Sequence, residues 1–247
     1  MSQPSFHQTA AGRRIAYHRL GGQGGGVVFL GGFRSDMEGT KAQHLAAWAK
    51  ARRAPFLRFD YSGHGASSGA FLDGAISDWA DDACEAISAL TEGPQILVGS
   101  SMGGWISLLV AQAMPEKVAG IIGIAAAPDF TEDMWAAFDA EQRAQLLREG
   151  VVNLPSDYSD EPYAITRRLI EDGRNSLVLQ SPLPLTVPVR FLQGTADTDV
   201  PVSVALRLLE HATGPDIRLT LVKGADHRFS TPDCLDLVAQ TLEELLG

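Results

Sequence analysis

The stretch Gln95-Ile96-Leu97-Val98-Gly99-Ser100-Ser101-Met102-Gly103-Gly104, followed by the helical run Trp105–Met114, decides how this chain of 247 residues is read. An apolar run of strand length stops at Gly99, and an apolar run of helical period starts just past Ser101. The pattern G-x-S-x-G spans Gly99, Ser101 and Gly103, and it predicts a sharp strand-to-helix turn with a serine at its tip, where flanking glycines leave room for the tight backbone. Ser101 is the candidate nucleophile. A helix opening beneath it favours negative charge developing beside the serine.

Outward from this turn, short apolar runs bounded by Gly, Pro or Asp alternate with helical periods, the mark of a mostly parallel sheet wrapped by crossover helices. Strands are predicted at Val27–Leu30, Phe56–Phe59, Gln95–Val98, Val118–Ile124, Val189–Leu192 and Ile217–Val222. Helices are predicted at about Lys41–Arg53, Ala75–Leu90, Met102–Met114, Val202–His211 and Pro232–Leu246, and Phe6–Leu20 reads as an antiparallel hairpin on the sheet edge. The run Gly21–Gly26 precedes a strand, so it reads as a flexible turn and not a phosphate loop. The expectation is one α/β domain over residues 1–247, interrupted by an insertion at about Ala127–Val187 that is too long for a single crossover. Helical segments are expected there near Glu132–Arg148 and Glu161–Asp172, separated by Pro155 and the Tyr158 region. An insertion at this point is expected to cap the carboxyl ends of the strands, where open α/β sheets bind ligands.

A serine alcohol becomes a nucleophile when a base takes its proton and an acid orients that base. Asp197 stands in Gly194-Thr195-Ala196-Asp197 just past one predicted strand, and His227 in Gly224-Ala225-Asp226-His227 just past the next. The chain order Ser, Asp, His is one of the orders in which such triads occur. His64, in the turn Asp60–Gly65, is a rival base but precedes the nucleophile, and it reads as a turn histidine. Asp199 and Asp226 compete as the acid; Asp226 adjoins His227 and would point away from its Nδ1, which favours Asp197. The oxyanion of an acyl attack needs two backbone N–H donors, and these are expected from Met102, after the nucleophile, and Phe33, after Gly31-Gly32.

Thirty Asp plus Glu against twenty Lys plus Arg give a net charge of −10, which repels phosphate backbones and anionic lipid, so nucleic acid is not an expected partner. Cys84 and Cys234 have no C-x-x-C spacing and read as reduced thiols. No H-E-x-x-H, calcium loop or Cys/His cluster predicts a metal, Gly63-x-Gly65 lacks dinucleotide-loop spacing, and no cofactor is expected. With no apolar leader and no run of eighteen apolar residues, neither a signal peptide nor stable membrane insertion is expected, and the expected location is the cytoplasm. A monomer or a homodimer is expected.

These residues together resemble the α/β-hydrolase superfamily over essentially the whole chain. A narrower likeness lies in Gly39-Thr40-Lys41-Ala42, Arg58-Phe59-Asp60-Tyr61-Ser62-Gly63, Gly93–Ser101, Gly103-Gly104-Trp105, Pro115-Glu116-Lys117-Val118 and Asp226-His227-Arg228. They resemble the mitochondrial palmitoyl-protein thioesterase and acyl-glucuronide esterase branch, from which this chain departs at its N-terminus, where no transit peptide is read. The resemblance implies an α/β-hydrolase fold and hydrolysis of acyl thioesters or activated esters through Ser101, Asp197 and His227, on small acyl esters or S-acylated proteins and peptides. Met134, Trp135, Phe138 and Tyr163 of the insertion are expected to line an apolar acyl pocket. Two other readings use the same residues: hydrolysis of a carbon–carbon bond in a carboxylated ring-cleavage product, with Arg34 or Arg228 holding the carboxylate, and an inert ligand-binding protein on the same scaffold.

Overall fold

The computed structural model describes residues 3–154, 163–180 and 182–247. In chain order the elements are β1 (Ser5–Gln8), β2 (Arg14–Leu20), β3 (Gly26–Leu30), α1 (Thr40–Arg52), β4 (Phe56–Phe59), α2 (Ile76–Leu90), β5 (Gln95–Ser100), α3 (Met102–Ala113) and β6 (Val118–Ile124). Then follow α4 (Phe130–Ala137), α5 (Ala140–Glu149), β7 (Val151–Leu154), β8 (Tyr163–Thr166), α6 (Arg167–Gly173) and β9 (Leu183–Pro184). The chain ends with β10 (Val189–Gly194), α7 (Val202–His211), β11 (Ala212–Thr213), β12 (Ile217–Val222) and α8 (Pro232–Leu246).

Eight strands form one sheet in the order β1-β2-β4-β3-β5-β6-β10-β12. The opening hairpin pairs antiparallel, and β2 joins β4 antiparallel. From β4 to β12 every pairing is parallel. β3, β4, β5 and β10 are buried along their whole length, as parallel strands covered on both faces must be. The two-residue period of the strands divides the core: Val28, Leu30 and Leu97 face Trp79 and Ile87 of α2 and Trp105 of α3. Their neighbours Val27, Phe29, Ile96 and Val98 face Leu45 and Trp48 of α1 and Val238 and Leu242 of α8.

Between β6 and β10 the chain departs from the predicted elements in two ways. The segment read as one helix near Glu132–Arg148 is two, α4 and α5, because Asp139 ends the first register and caps the second by accepting from Gln142 N–H, while the Gln142 side chain accepts from Asp139 N–H. The segment read as helical near Glu161–Asp172 begins, within the described residues, as strand β8, which pairs antiparallel with β7. Tyr-Ala-Ile-Thr suits a strand, and Thr166 then caps the shorter α6 by accepting from Leu169 N–H. Pro155, Tyr158 and Glu161 lie outside the described residues. Asp129, in the left-handed region at φ 58°, holds the two ends of this insertion together by accepting the N–H groups of Val178 and Leu179. No helix among the described residues is long and apolar enough to cross a membrane.

Candidate active site

Ser101 sits between β5 and α3 with φ 55° and ψ −118°, a backbone conformation that side chains other than glycine rarely adopt. Its N–H donates to Ile124 O on β6 (2.9 Å), and its carbonyl accepts from Gly104 N–H (2.9 Å) and Ala127 N–H (3.1 Å). The strain is thus held from the neighbouring strand, from the first turn of α3 and from the start of the insertion. The turn is possible because its glycines carry no side chain: a Cβ on Gly99 would lie 2.2 Å from Gly103 O, and one on Gly103 would lie 2.1 Å from Leu30 O. The second approach brings the first turn of α3 against the end of β3. Phe33 and Met102, the two expected oxyanion donors, therefore belong to segments in direct backbone contact. Among the described residues neither N–H donates to a backbone carbonyl. A Cβ on Gly32 would come to 3.4 Å from the Ser101 Cβ, so the Phe33 loop passes beside the serine.

Asp197 follows β10 and His227 follows β12, so both sit at the carboxyl edge of the sheet that also carries Ser101. His227 Nδ1 lies 2.9 Å from Asp197 Oδ2. With Nδ1–H as the donor, Nε2 becomes the acceptor available to a serine proton. The Asp199 N–H donates to Asp197 Oδ1 (3.0 Å), and Asp226 is turned to other work, its Oδ1 accepting from Phe229 N–H (3.1 Å). Three carboxylate or imidazole groups, those of Asp197, Asp199 and His227, have ligand atoms within 4.8 Å of one another. The two Asp197 oxygens are occupied by His227, by the N–H groups of Asp199 and Val200 and by the amide of Gln193. Burial pushes the Asp197 carboxyl upward, yet the bonds from His227, Val200 and Gln193 and the His227 charge outweigh it and hold it below the ordinary carboxylate value.

β5 and β12 are separated by β6 and β10, a span of about 14 Å at normal strand spacing. The loop after β12 bends back across it. Phe229, at φ 49°, is fully buried in the same cluster as Val98, Ile124 and Leu192, and Lys41 of α1 donates to Arg228 O. Gln193 and Lys41 are supporting residues that sequence reasoning missed. Gln193 is the penultimate residue of a strand otherwise read by its apolar run, and Lys41 stood inside a quoted motif with nothing local to say that it reaches 187 residues along the chain.

The ring of Phe33 contacts Phe71 (centroids 4.9 Å apart), Trp79 (6.0 Å), Phe130 (5.6 Å) and Tyr163 (6.4 Å), so the residue expected to offer its N–H forms the hub of an aromatic wall that includes the insertion. His64 is buried in that wall, edge-on to Tyr61, Phe71 and Trp79. Burial lowers its pKa, opposed by the Ser62 carbonyl and Asp82 and assisted by Arg34. Of the residues expected to line an acyl pocket, Tyr163 faces Phe33, and Met134 borders a groove with Phe130, Val200 and Val204 between α4 and α7. Trp135 and Phe138 pack against each other, with Phe138 4% exposed and Trp135 held by Arg143 and Arg174, so they fill the insertion itself.

The description of the alpha/beta hydrolase family matches residues 27–241. Mitochondrial palmitoyl-protein thioesterase ABHD10 of Rattus norvegicus is 37% identical over 94% of this chain and 78% of its own length, and that of Homo sapiens is 35% identical over 94% and 76%. The structure of alpha/beta hydrolase domain-containing protein 10 from mouse covers 99% of this chain and 98% of its own at TM-score 0.92 and 36% identity. A crystal structure from Agrobacterium vitis S4 covers 100% of both chains at TM-score 0.94 and 39% identity. The mammalian relatives are named mitochondrial, which overturns the cytoplasmic expectation. That expectation rested on the missing apolar stretch of a secretory leader, and mitochondrial targeting segments are amphipathic and leave no such mark.

Proposed function

The chain belongs to the α/β hydrolase family, and on that premise we propose that it is a serine hydrolase of acyl thioesters and carboxylic esters. The observation that carries the proposal is the strained Ser101 backbone at the carboxyl edge of the sheet, since strain of this kind persists where the surroundings hold a reacting group in place. In the proposed reaction Ser101 Oγ attacks the acyl carbon as its proton passes to His227 Nε2, and Asp197 keeps the imidazole oriented. The Phe33 and Met102 N–H groups receive the oxyanion. Collapse of the tetrahedral intermediate breaks the bond to the leaving thiol or alcohol, which takes the proton from His227. Water then repeats the sequence on the acyl-enzyme and frees Ser101.

The aromatic wall around Phe33 supports an apolar acyl group, with the insertion acting as a cap over it. Thioester preference is supported by the names of the mammalian relatives. The test compares wild type with Ser101→Ala on an acyl-chain series of p-nitrophenyl esters and S-acyl cysteine peptides. Expected are a higher kcat/KM on the longer thioesters and loss of turnover in the variant. Equal turnover by Ser101→Ala, or failure of wild type to react with a fluorophosphonate, overturns the assignment.

A further inference from the structure

Arg34 follows the proposed oxyanion donor Phe33, and its backbone stands in the left-handed region at φ 56°. Its guanidinium lies over two rings, 5.4 Å from the centroid of Phe71 and 5.0 Å from that of Tyr163, and so bridges the loop beside Ser101 to the insertion. Several other guanidinium groups meet carboxylates: Arg13 meets Asp82, Arg58 meets Glu38, and Arg190 meets Asp216 and Glu244, while Arg14 and Arg143, like Arg34, lie over rings but away from Ser101's loop. Arg34 has no carboxylate partner among the described residues, and its side chain is exposed.

The rings fix where the charge sits while leaving the donors of the guanidinium fork open to a ligand. The chain as a whole carries a charge of −10 and repels anions, so a local cation on the aromatic wall beside the Ser101 loop changes which acyl substrates can be held there. We infer that Arg34 is an anion-recognition subsite, and that the enzyme favours acyl substrates bearing a carboxylate over neutral ones of the same shape. This rests on the ester-hydrolase reading above. The recognised chemistry is a carboxylate, carried by the acyl group or by the leaving group. Both lie next to the carbonyl that Phe33 would polarise.

Two matched pairs of esters separate the sources. The half ester of adipate with p-nitrophenol, against its methyl-capped twin, puts the carboxylate on the acyl side. Hexanoyl 3-carboxy-4-nitrophenol, against p-nitrophenyl hexanoate, puts it on the leaving group. In one pair the wild type is expected to show kcat/KM about three- to tenfold higher for the anionic member, the range of a solvent-accessible charged contact. Arg34→Gln removes the charge, keeps a polar side chain and bears the same left-handed backbone cost, and is expected to bring that ratio to about one. Arg34→Lys is expected to retain part of it, since it keeps the charge without the planar fork. Raising ionic strength lowers the wild-type ratio and leaves the Arg34→Gln ratio in place. A wild-type ratio of one or below in both pairs, or a ratio that survives Arg34→Gln, overturns the subsite while normal turnover of the neutral twins leaves the hydrolase reading standing. Absence of turnover of all four esters sinks both.

Discussion

Lys41 Nζ donates a hydrogen bond to the carbonyl oxygen of Arg228, the residue after His227, and so ties α1 to the loop that carries the imidazole. Burial lowers the lysine pKa from its ordinary 10.5 to about 8, opposed by Asp226 and Cys234 and assisted by Arg228. Between those two values the unfolded chain holds a proton that the folded chain has lost, so stability rises with pH through that window. Below it the fold carries the cost of a buried ammonium. Lys41→Met is expected to resist urea better than wild type at pH 7, with the difference shrinking as pH climbs toward 10. Its kcat on esters is expected to fall about tenfold as the His227 loop loses its tether. Urea midpoints at pH 7 and pH 10, set beside kcat at pH 7, check both; a variant that is less stable at pH 7 yet equally active contradicts the tether.

Gln193 Nε2 donates to Asp197 Oδ2 (3.0 Å) and to Val200 O (2.9 Å), so one amide fixes both the proposed acid and the turn behind it. The Gln193 Oε1 has no partner among the described residues, which offsets part of what the amide contributes. Gln193→Leu is expected to lose about 1 kcal/mol of stability and roughly tenfold in kcat, with KM little moved. The Asp197 carboxyl, held below its ordinary value, contributes stability that is present above the unfolded pKa and lost as pH falls through the folded one. Removing the Gln193 bond raises the folded value toward the ordinary one. Acid unfolding of Gln193→Leu should therefore begin at higher pH than that of wild type, and coincident acid transitions would argue that the amide does not act on Asp197.

The parallel sheet, and the placing of Ser101, Asp197 and His227 just past their strands, were legible because their signals are local: apolar runs of strand length, glycines beside a serine, and an acid and a histidine each following a strand. The pairing of His227 with Asp197 in preference to Asp226 was legible too, from chain geometry alone. The internal elements of the insertion were not. Tyr163-Ala164-Ile165-Thr166 suits a strand by composition, yet a run of four is too short to break the helical reading until β7 supplies a partner, and Asp139 breaks a helical period that looks continuous. Lys41 and Gln193 were invisible for a different reason. Their roles depend on partners from other elements, and a lysine or glutamine in an apolar stretch reads as a solvated side chain until the fold closes around it.

Asp129 holds the insertion shut with two charge-assisted bonds, from Val178 N–H (2.8 Å) and Leu179 N–H (3.0 Å). Burial raises its carboxyl pKa, and the two amides and Arg207 only partly oppose this. Asp129→Ala leaves two amides unpaired and places a non-glycine residue at φ 58° without the side chain that tolerates it. A loss of about 2–4 kcal/mol is expected. Limited proteolysis should cut first between residues 130 and 180, ahead of the sheet; uniform cutting would place the effect elsewhere.

The contact between Gly103 and the end of β3 makes a last prediction that separates stability from positioning. The nearest atoms to a Cβ on Gly103 would be backbone, Leu30 O at 2.1 Å and Gly31 O at 2.6 Å, so the closest contacts cannot yield by a side-chain rotation. Gly103→Ala must push α3 away from β3, widening the space between the Met102 and Phe33 amides. Overpacking of this kind costs about 1–3 kcal/mol. If the two amides serve one oxyanion, kcat should fall by about a hundredfold, the scale of losing one donor. Fluorophosphonate labelling should slow in parallel, because that reagent also develops charge on oxygen during attack. A folded Gly103→Ala enzyme, verified by its thermal transition, that labels and turns over at the wild-type rate would show that the close approach serves packing alone, and would remove Phe33 from the proposed machinery.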